Sequence, residues 1–154
     1  PAIHLDNEKI QIKKGHSHIN IYGLTIPFKC YKYLFDKNKD INLDENFLQE
    51  NLPMINRQEY NILLAHTPFY FDEYANWGAD LVLSGHVHGG IIRLPFVGGL
   101  LSPNRQFFPK YDLGEYKKHN STMIVTKGLG GSKVLVRINC KPEIVKITLK
   151  SKPY

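Results

Sequence analysis

Apolar and polar positions change period several times along this chain, and each change predicts an element. In "KIQIK" (residues 9 to 13) and "HINIYGL" (18 to 24) the two kinds alternate. A period of two predicts half-buried strands, and the intervening "KGHS" predicts a hairpin turn. Residues 25 to 42 are rich in lysine, asparagine and aromatics but have no period, which predicts a loop or irregular helix. "LDENFLQENLP" opens on Asp44 as a candidate N-cap and stops before Pro53, predicting a short helix.

The pattern then becomes continuous. Ile62 to Ala65 form an unbroken apolar run that ends at His66, with Pro68 just beyond. Such a run predicts a strand buried on both faces, as in a parallel sheet. "FYFDEYANWG" reads as a helix stopping at Gly78, and "ADLVLSG" as a second buried strand ending at His86. Strand, helix and strand make a βαβ unit with a right-handed crossover. Beyond Gly90, glycine and proline punctuate the chain, predicting a long functional loop over the sheet end. Three late strands are expected at "TMIVTKG", "VLVRIN" and "EIVKITL".

Composition narrows the class. With 154 residues, 42% hydrophobic and 22% charged, the chain suits one packed domain and not a disordered segment. No apolar run approaches the roughly 20 residues that cross a bilayer, and no signal peptide is visible. Pro1 in place of methionine predicts a processed or truncated piece. Cys30 and Cys140 lie far apart, outside any CxxC, and read as packed thiols, not a disulfide or zinc framework. The net charge of +6 admits nucleic acid as a partner. The basic residues are scattered, however, with no interleaved aromatic stacking pattern, so a solvated surface is expected and no specific nucleic-acid partner.

Candidate chemistry sits on the βαβ unit. Its parallel strands end at the same sheet edge, where ligand sites of open α/β sheets form. His66 ends one strand; His86 and His88 end the other, so three imidazoles are expected to converge. His86 and His88, two apart in extended backbone, are expected to project to one side. Gly85, Gly89 and Gly90 allow sharp turns and close ligand approach. Neutral imidazole is a common ligand of transition metals. A second Gly-His-x-His, at His16 and His18, follows Lys13 and Lys14 at a hairpin turn; there a surface role is expected, as for His4 and His119. Hydrolytic metal centres usually add carboxylates. Asp72, Glu73, Asp80, Asp112 and Glu115 are the acids near these motifs, and none is well placed, so the site is expected to be incomplete.

"LLAHTP" followed by "LVLSGHVHGG" resembles the C-terminal half of calcineurin-like metallophosphoesterases. "IRLPFVGGLLSPNRQFFPKYDLGEY", "KGLGGS" and "RINCKPEIVKITL" are similar to the YkuE-type bacterial branch, and the resemblance covers nearly the whole chain. It implies an α/β fold: half of a four-layer αββα sandwich, a mixed sheet with a βαβ unit and late antiparallel strands. It implies that residues 1–154 are one C-terminal portion of such a domain. It implies that His66 and His86 ligate one divalent metal and His88 a second, of the manganese, iron or zinc class. It further implies a phosphate-ester substrate cleaved by metal-activated water. Arg93, Asn104 and Arg105, on or beyond the histidine loop, are candidate phosphate or head-group contacts.

The departures are as informative. The family's Asp-x-His, Gly-Asp-x-x-Asp and Gly-Asn-His-Asp motifs have no counterpart here. No catalytic residue is therefore assigned within the chain, and partial or no metal occupancy is expected of it alone. The expected partners are the missing N-terminal half or a second copy of the chain. The resemblance leaves the intact parent's location open between membrane-associated and cytoplasmic. The competing reading is a non-catalytic interaction module that dimerises through an exposed sheet.

Overall fold

The fold is taken from a computed structural model that describes residues 2–31, 43–44, 46–102, 107–130 and 137–150. Alternating residues at the start form an antiparallel hairpin, β1 (Glu8–Lys14) and β2 (Ser17–Leu24). Gly15 and His16 make its turn, with Gly15 at φ 60°, a left-handed conformation suited to glycine. A 3-10 turn follows at Phe28–Cys30. Helix α1 (Phe47–Asn51) starts after Asn46, not at Asp44. The Asp44 carboxylate instead accepts the Asn46 N–H, closing a turn one step ahead of the helix.

The continuous apolar runs form the expected βαβ unit: β3 (Tyr60–Ala65), α2 (Phe71–Trp77) and β4 (Leu81–Ser84). Strands β3 and β4 pair in parallel. Gly78 ends α2 at φ 116°, with its N–H on the Tyr74 carbonyl. The punctuated stretch is more ordered than a loop. It contains a small antiparallel sheet, β5 (Ile92–Leu94) and β6 (Gly98–Leu101), before β7 (Gly114–Lys118) and β8 (Ser121–Val125). Short strands hid this hairpin from the pattern: β5 has three residues, β6 four of which two are glycine, and the return runs through Pro95 to Val97 with Phe96 at φ 64°.

The main sheet has six strands in the order β1-β2-β3-β4-β8-β7. Strands β2, β3, β4 and β8 are mutually parallel, and β1 and β7 close the edges antiparallel. The fold is thus α/β with a mixed sheet and few helices. Of the late strands, "TMIVTKG" supplies β8. The first half of "VLVRIN" lies outside the described residues, and in the second half Ile138 forms a single parallel bridge to Ile92. "EIVKITL" is not a strand. Its alternation is real, but no described strand offers it a ladder, and a strand without ladder bonds is not a stable element.

The two faces of the sheet differ. On the helix side, Tyr22, Leu63, Ala65, Val82, Met123 and Val125 are buried against Phe71, Tyr74 and Trp77. Tyr22 and Trp77 meet edge to face at 4.9 Å, a geometry that adds roughly 1 kcal/mol beyond burial. On the other side, the register lines up Gly23, Leu64, Leu83 and Ile124 in one row across four strands. Leu64 is 39% exposed there. Leu5 packs directly over Gly23, and the other residues of 3–5 and 143–147 border the row, leaving a groove of about 710 Å³. Parallel strands normally have both faces covered.

Candidate metal centre

At the carboxyl edge of the parallel strands, two hydrogen bonds lace β3 to β4. The Ser84 hydroxyl donates to the Ala65 carbonyl at 2.7 Å, and the Gly85 N–H to the His66 carbonyl at 3.1 Å. The chain then folds back on itself: Val87 N–H bonds the Gly85 carbonyl and Gly90 N–H the Val87 carbonyl. His86 and His88 stand at φ 63° and 51°, so the backbone between them is left-handed, not extended. A non-glycine residue in that region costs on the order of 1–2 kcal/mol. Val87, fully buried between them, anchors the turn to the core.

That turn separates the two rings. His86 swings over the end of β3, bringing its Nδ1 to 3.1 Å from His66 Nε2. Two nitrogens bound at about 2.0–2.1 Å to one tetrahedral or octahedral cation stand roughly 2.9–3.4 Å apart. The separation therefore suits two ligands of one cation. Tyr31 and Phe69 wall the pair, with ring centroids 5.1 and 5.9 Å from His86. His88 turns elsewhere, its Nδ1 3.1 Å from Arg137 Nη2. Among the described residues, no group of three or more His, Cys, Asp or Glu is arranged to hold a metal.

Burial lowers the pKa of His66. His88 is also lowered, by burial first and then by the charges of Arg137 and His66, against a hydrogen bond to the Lys127 carbonyl. Both shifts favour neutral imidazole, the form that binds metals. Beneath the loop, Cys140 is a buried free thiol whose Sγ donates to the His88 carbonyl at 2.8 Å. Cys30 is likewise buried and free. The two cysteines are packed thiols, as their spacing predicts.

Arg93 sits beside the loop as a brace. Its Nη1 donates to the Gly89 carbonyl and to Asp112 Oδ2, both at 2.8 Å. Asp112 also accepts the Gly99 N–H and the Tyr116 hydroxyl. Asn104 and Arg105 lie outside the described residues. Three of the other acids are engaged elsewhere: Asp72 with Lys118, Asp80 with the Asn61 N–H, Glu115 with Lys117. At the other histidine patch, His18 pairs with Glu59 at 2.8 Å, and Glu59 also accepts from Asn20. His16 is exposed in its turn, and His4 and His119 are exposed as well.

Sequence reasoning passed over Tyr31 and Arg137. Both reach the histidines from distant parts of the chain, and neither lies in a glycine-histidine motif that would mark it. The open groove on the second sheet face reaches the same edge, since His66, Gly85, Thr126 and Gly128 line one end of it.

Comparison with known proteins places this geometry in context. The chain is 34% identical over 112 residues to the uncharacterized metallophosphoesterase YkuE of Bacillus subtilis, an alignment covering 73% of the chain and 38% of that protein. It is 33% identical over 88 residues to the phosphodiesterase YaeI of Escherichia coli, covering 57% of the chain and 32% of that protein. It is 35% identical over 107 residues to an uncharacterized metallophosphoesterase of Aquifex aeolicus, covering 67% and 38%. The chain thus spans well under two thirds of the length of these relatives. No protein-family profile matches it, and no solved structure does.

Proposed function

The chain is a relative of the YkuE-type bacterial metallophosphoesterases, and on that footing we propose that it is the C-terminal part of a dimetal phosphoesterase acting on phosphodiester or pyrophosphate bonds. The observation that carries this reading is the approach of His66 Nε2 and His86 Nδ1 to 3.1 Å at the carboxyl edge of the parallel strands. His66 and His86 would hold one divalent cation, and His88 the other. When bound, the cations activate a water and stabilise charge developing on phosphate. The chain's own residues orient the ligands: Val87 fixes the turn, Cys140 holds the His88 carbonyl, and Tyr31 and Phe69 wall the imidazole pair.

The remaining ligands would come from the part of the full-length relatives that this chain does not span. The same part would cover the row Gly23, Leu64, Leu83 and Ile124, completing a four-layer αββα sandwich. Alone, the chain is then an inefficient catalyst. Joining it to the upstream half of a YkuE-type relative tests this. Manganese-dependent hydrolysis of bis(p-nitrophenyl) phosphate should appear, and His66→Ala or His86→Ala should abolish it. No activity in the joined protein, with both variants neutral for manganese binding, overturns the reading.

The open apolar face favours one alternative, self-association through that sheet without catalysis. Size-exclusion chromatography with and without chelator separates the two, because only the alternative gives a dimer indifferent to metal.

A further inference from the structure

Three cations surround the histidine loop among the described residues: Arg93, Lys127 and Arg137. Two are neutralised. Arg93 pairs with Asp112 at 2.8 Å and Lys127 with Glu143 at 3.0 Å. Arg137 differs in the chemistry of its partners. Its Nη2 faces His88 Nδ1 at 3.1 Å, the Lys127 carbonyl at 3.2 Å and the Gly130 carbonyl, and its Nη1 faces the Gly128 carbonyl at 3.5 Å. Carbonyls orient a guanidinium without cancelling its charge. No carboxylate among the described residues pairs with it.

We propose that Arg137 is a phosphate-contacting residue of the histidine site, a role for which the sequence nominates Arg93, Asn104 and Arg105. The inference rests on the phosphoesterase reading above. A guanidinium carries five N–H donors in a planar fork that matches two oxygens of a phosphate. Among the described residues its contacts fall mostly on Nη2, which leaves donors on Nε and Nη1 for an anion. The carbonyl anchors do not depend on His88, so they hold the guanidinium beside that ring whatever His88 binds. Its uncancelled charge is therefore fixed next to the imidazoles before an anion arrives, the preorganised arrangement that favours charge developing on a phosphoryl group. Arg93 cannot serve in this way without giving up Asp112 and the Gly89 carbonyl.

The test uses the chain joined to the upstream half of a YkuE-type relative, with inorganic phosphate as competitive inhibitor and bis(p-nitrophenyl) phosphate as substrate. Arg137→Gln should weaken phosphate inhibition and raise KM by about 10- to 100-fold, the loss of a hydrogen bond to a charged group. Manganese affinity should change less than about threefold, which a collapsed loop would not allow. Arg137→Lys should lie in between, since it keeps the charge but loses the fork. Millimolar guanidinium should restore part of the phosphate affinity of Arg137→Ala. If Arg137→Gln folds poorly, the Arg137→Lys value and the guanidinium rescue decide. Phosphate inhibition and KM unchanged in these variants, with His66→Ala still inactive, overturn this inference alone. If His66→Ala and His86→Ala also leave manganese binding and hydrolysis unchanged, the phosphoesterase reading falls with it.

Discussion

The chain carries Gly-His-x-His twice, at residues 15–18 and 85–88, and the two copies meet different fates. The first lies at the outer end of β1 and β2, with His16 in a two-residue turn and His18 tied to Glu59. The second follows β4, a strand buried in a parallel sheet, and its first histidine meets another that ends the neighbouring strand. The difference teaches that the motif is not the signal. What matters is which end of which strand it occupies. At a hairpin turn a histidine finds water and a nearby carboxylate; at the carboxyl edge of parallel strands it finds other strand ends.

The sharpest way to break this comparison is cation binding. In the chain joined to the upstream half of a YkuE-type relative, His86→Ala should lower manganese affinity at least about 10-fold, as ligand-shell losses do. His16→Ala and His18→Ala should leave it within about twofold. Equal losses at both patches, read by calorimetric titration, would erase the distinction.

Glycine substitutions come next. A Cβ on Gly90, at φ 74°, would stand 2.6 Å from the Gly99 Cα, backbone against backbone. Gly90→Ala should therefore destabilise by about 2–5 kcal/mol, combining left-handed strain with overpacking. Gly15, at φ 60°, has nothing within 4 Å of that position, so Gly15→Ala should cost only about 1–2 kcal/mol. Urea unfolding of both variants measures the gap, and a Gly15 cost as large as that of Gly90 would refute the packing argument.

The supports of each patch give smaller effects. Asp112→Asn removes the carboxylate that holds Arg93, and with it the brace on the Gly89 carbonyl; a loss of about 1–3 kcal/mol is expected. Burial alone would raise the Asp112 pKa. The Gly99 N–H, the Tyr116 hydroxyl and the Arg93 charge outweigh it, and the net shift is downward from 3.8. A depressed carboxylate stabilises above its unfolded pKa, so this contribution is whole above about pH 5 and drains away as pH falls through 4 and below. In Asp112→Asn the acid limb of the stability profile should flatten.

Glu59 has the same sign and should show the least. Hydrogen bonds from Asn20 and then His18 lower its pKa below 4.5. Its pairing should weaken as pH drops below about 4.5, and because the pair faces solvent, Glu59→Gln should barely move the midpoint. A Glu59→Gln effect matching that of Asp112→Asn would show the hairpin patch to be as tightly held as the histidine loop.

Much of the frame was legible because local pattern and final environment agree. The alternation of residues 9 to 24 became β1 and β2, and the apolar runs around His66 and His86 became β3 and β4 with α2 between them. The agreement stops at Asp44, where a turn precedes the helix, and at "EIVKITL", where alternation has no neighbouring strand to pair with. The β5-β6 hairpin left no periodic trace because its strands have only three and four residues, and two of those in β6 are glycines.

By itself, the sequence determined the strand-ending positions of His66 and His86, since an apolar run of fixed length must stop where its polar residues begin. It also determined that both cysteines are packed thiols. Only the tertiary structure decided that His86 turns to His66 while His88 turns to Arg137, because left-handed backbone at both histidines rotates their side chains apart. It also decided that Arg93 is a brace and that Arg137 meets carbonyls and His88, with no carboxylate among the described residues. An ion pair depends on which carboxylate the fold brings within reach, and Asp112 and Glu143 reach the loop from 19 and 16 residues away.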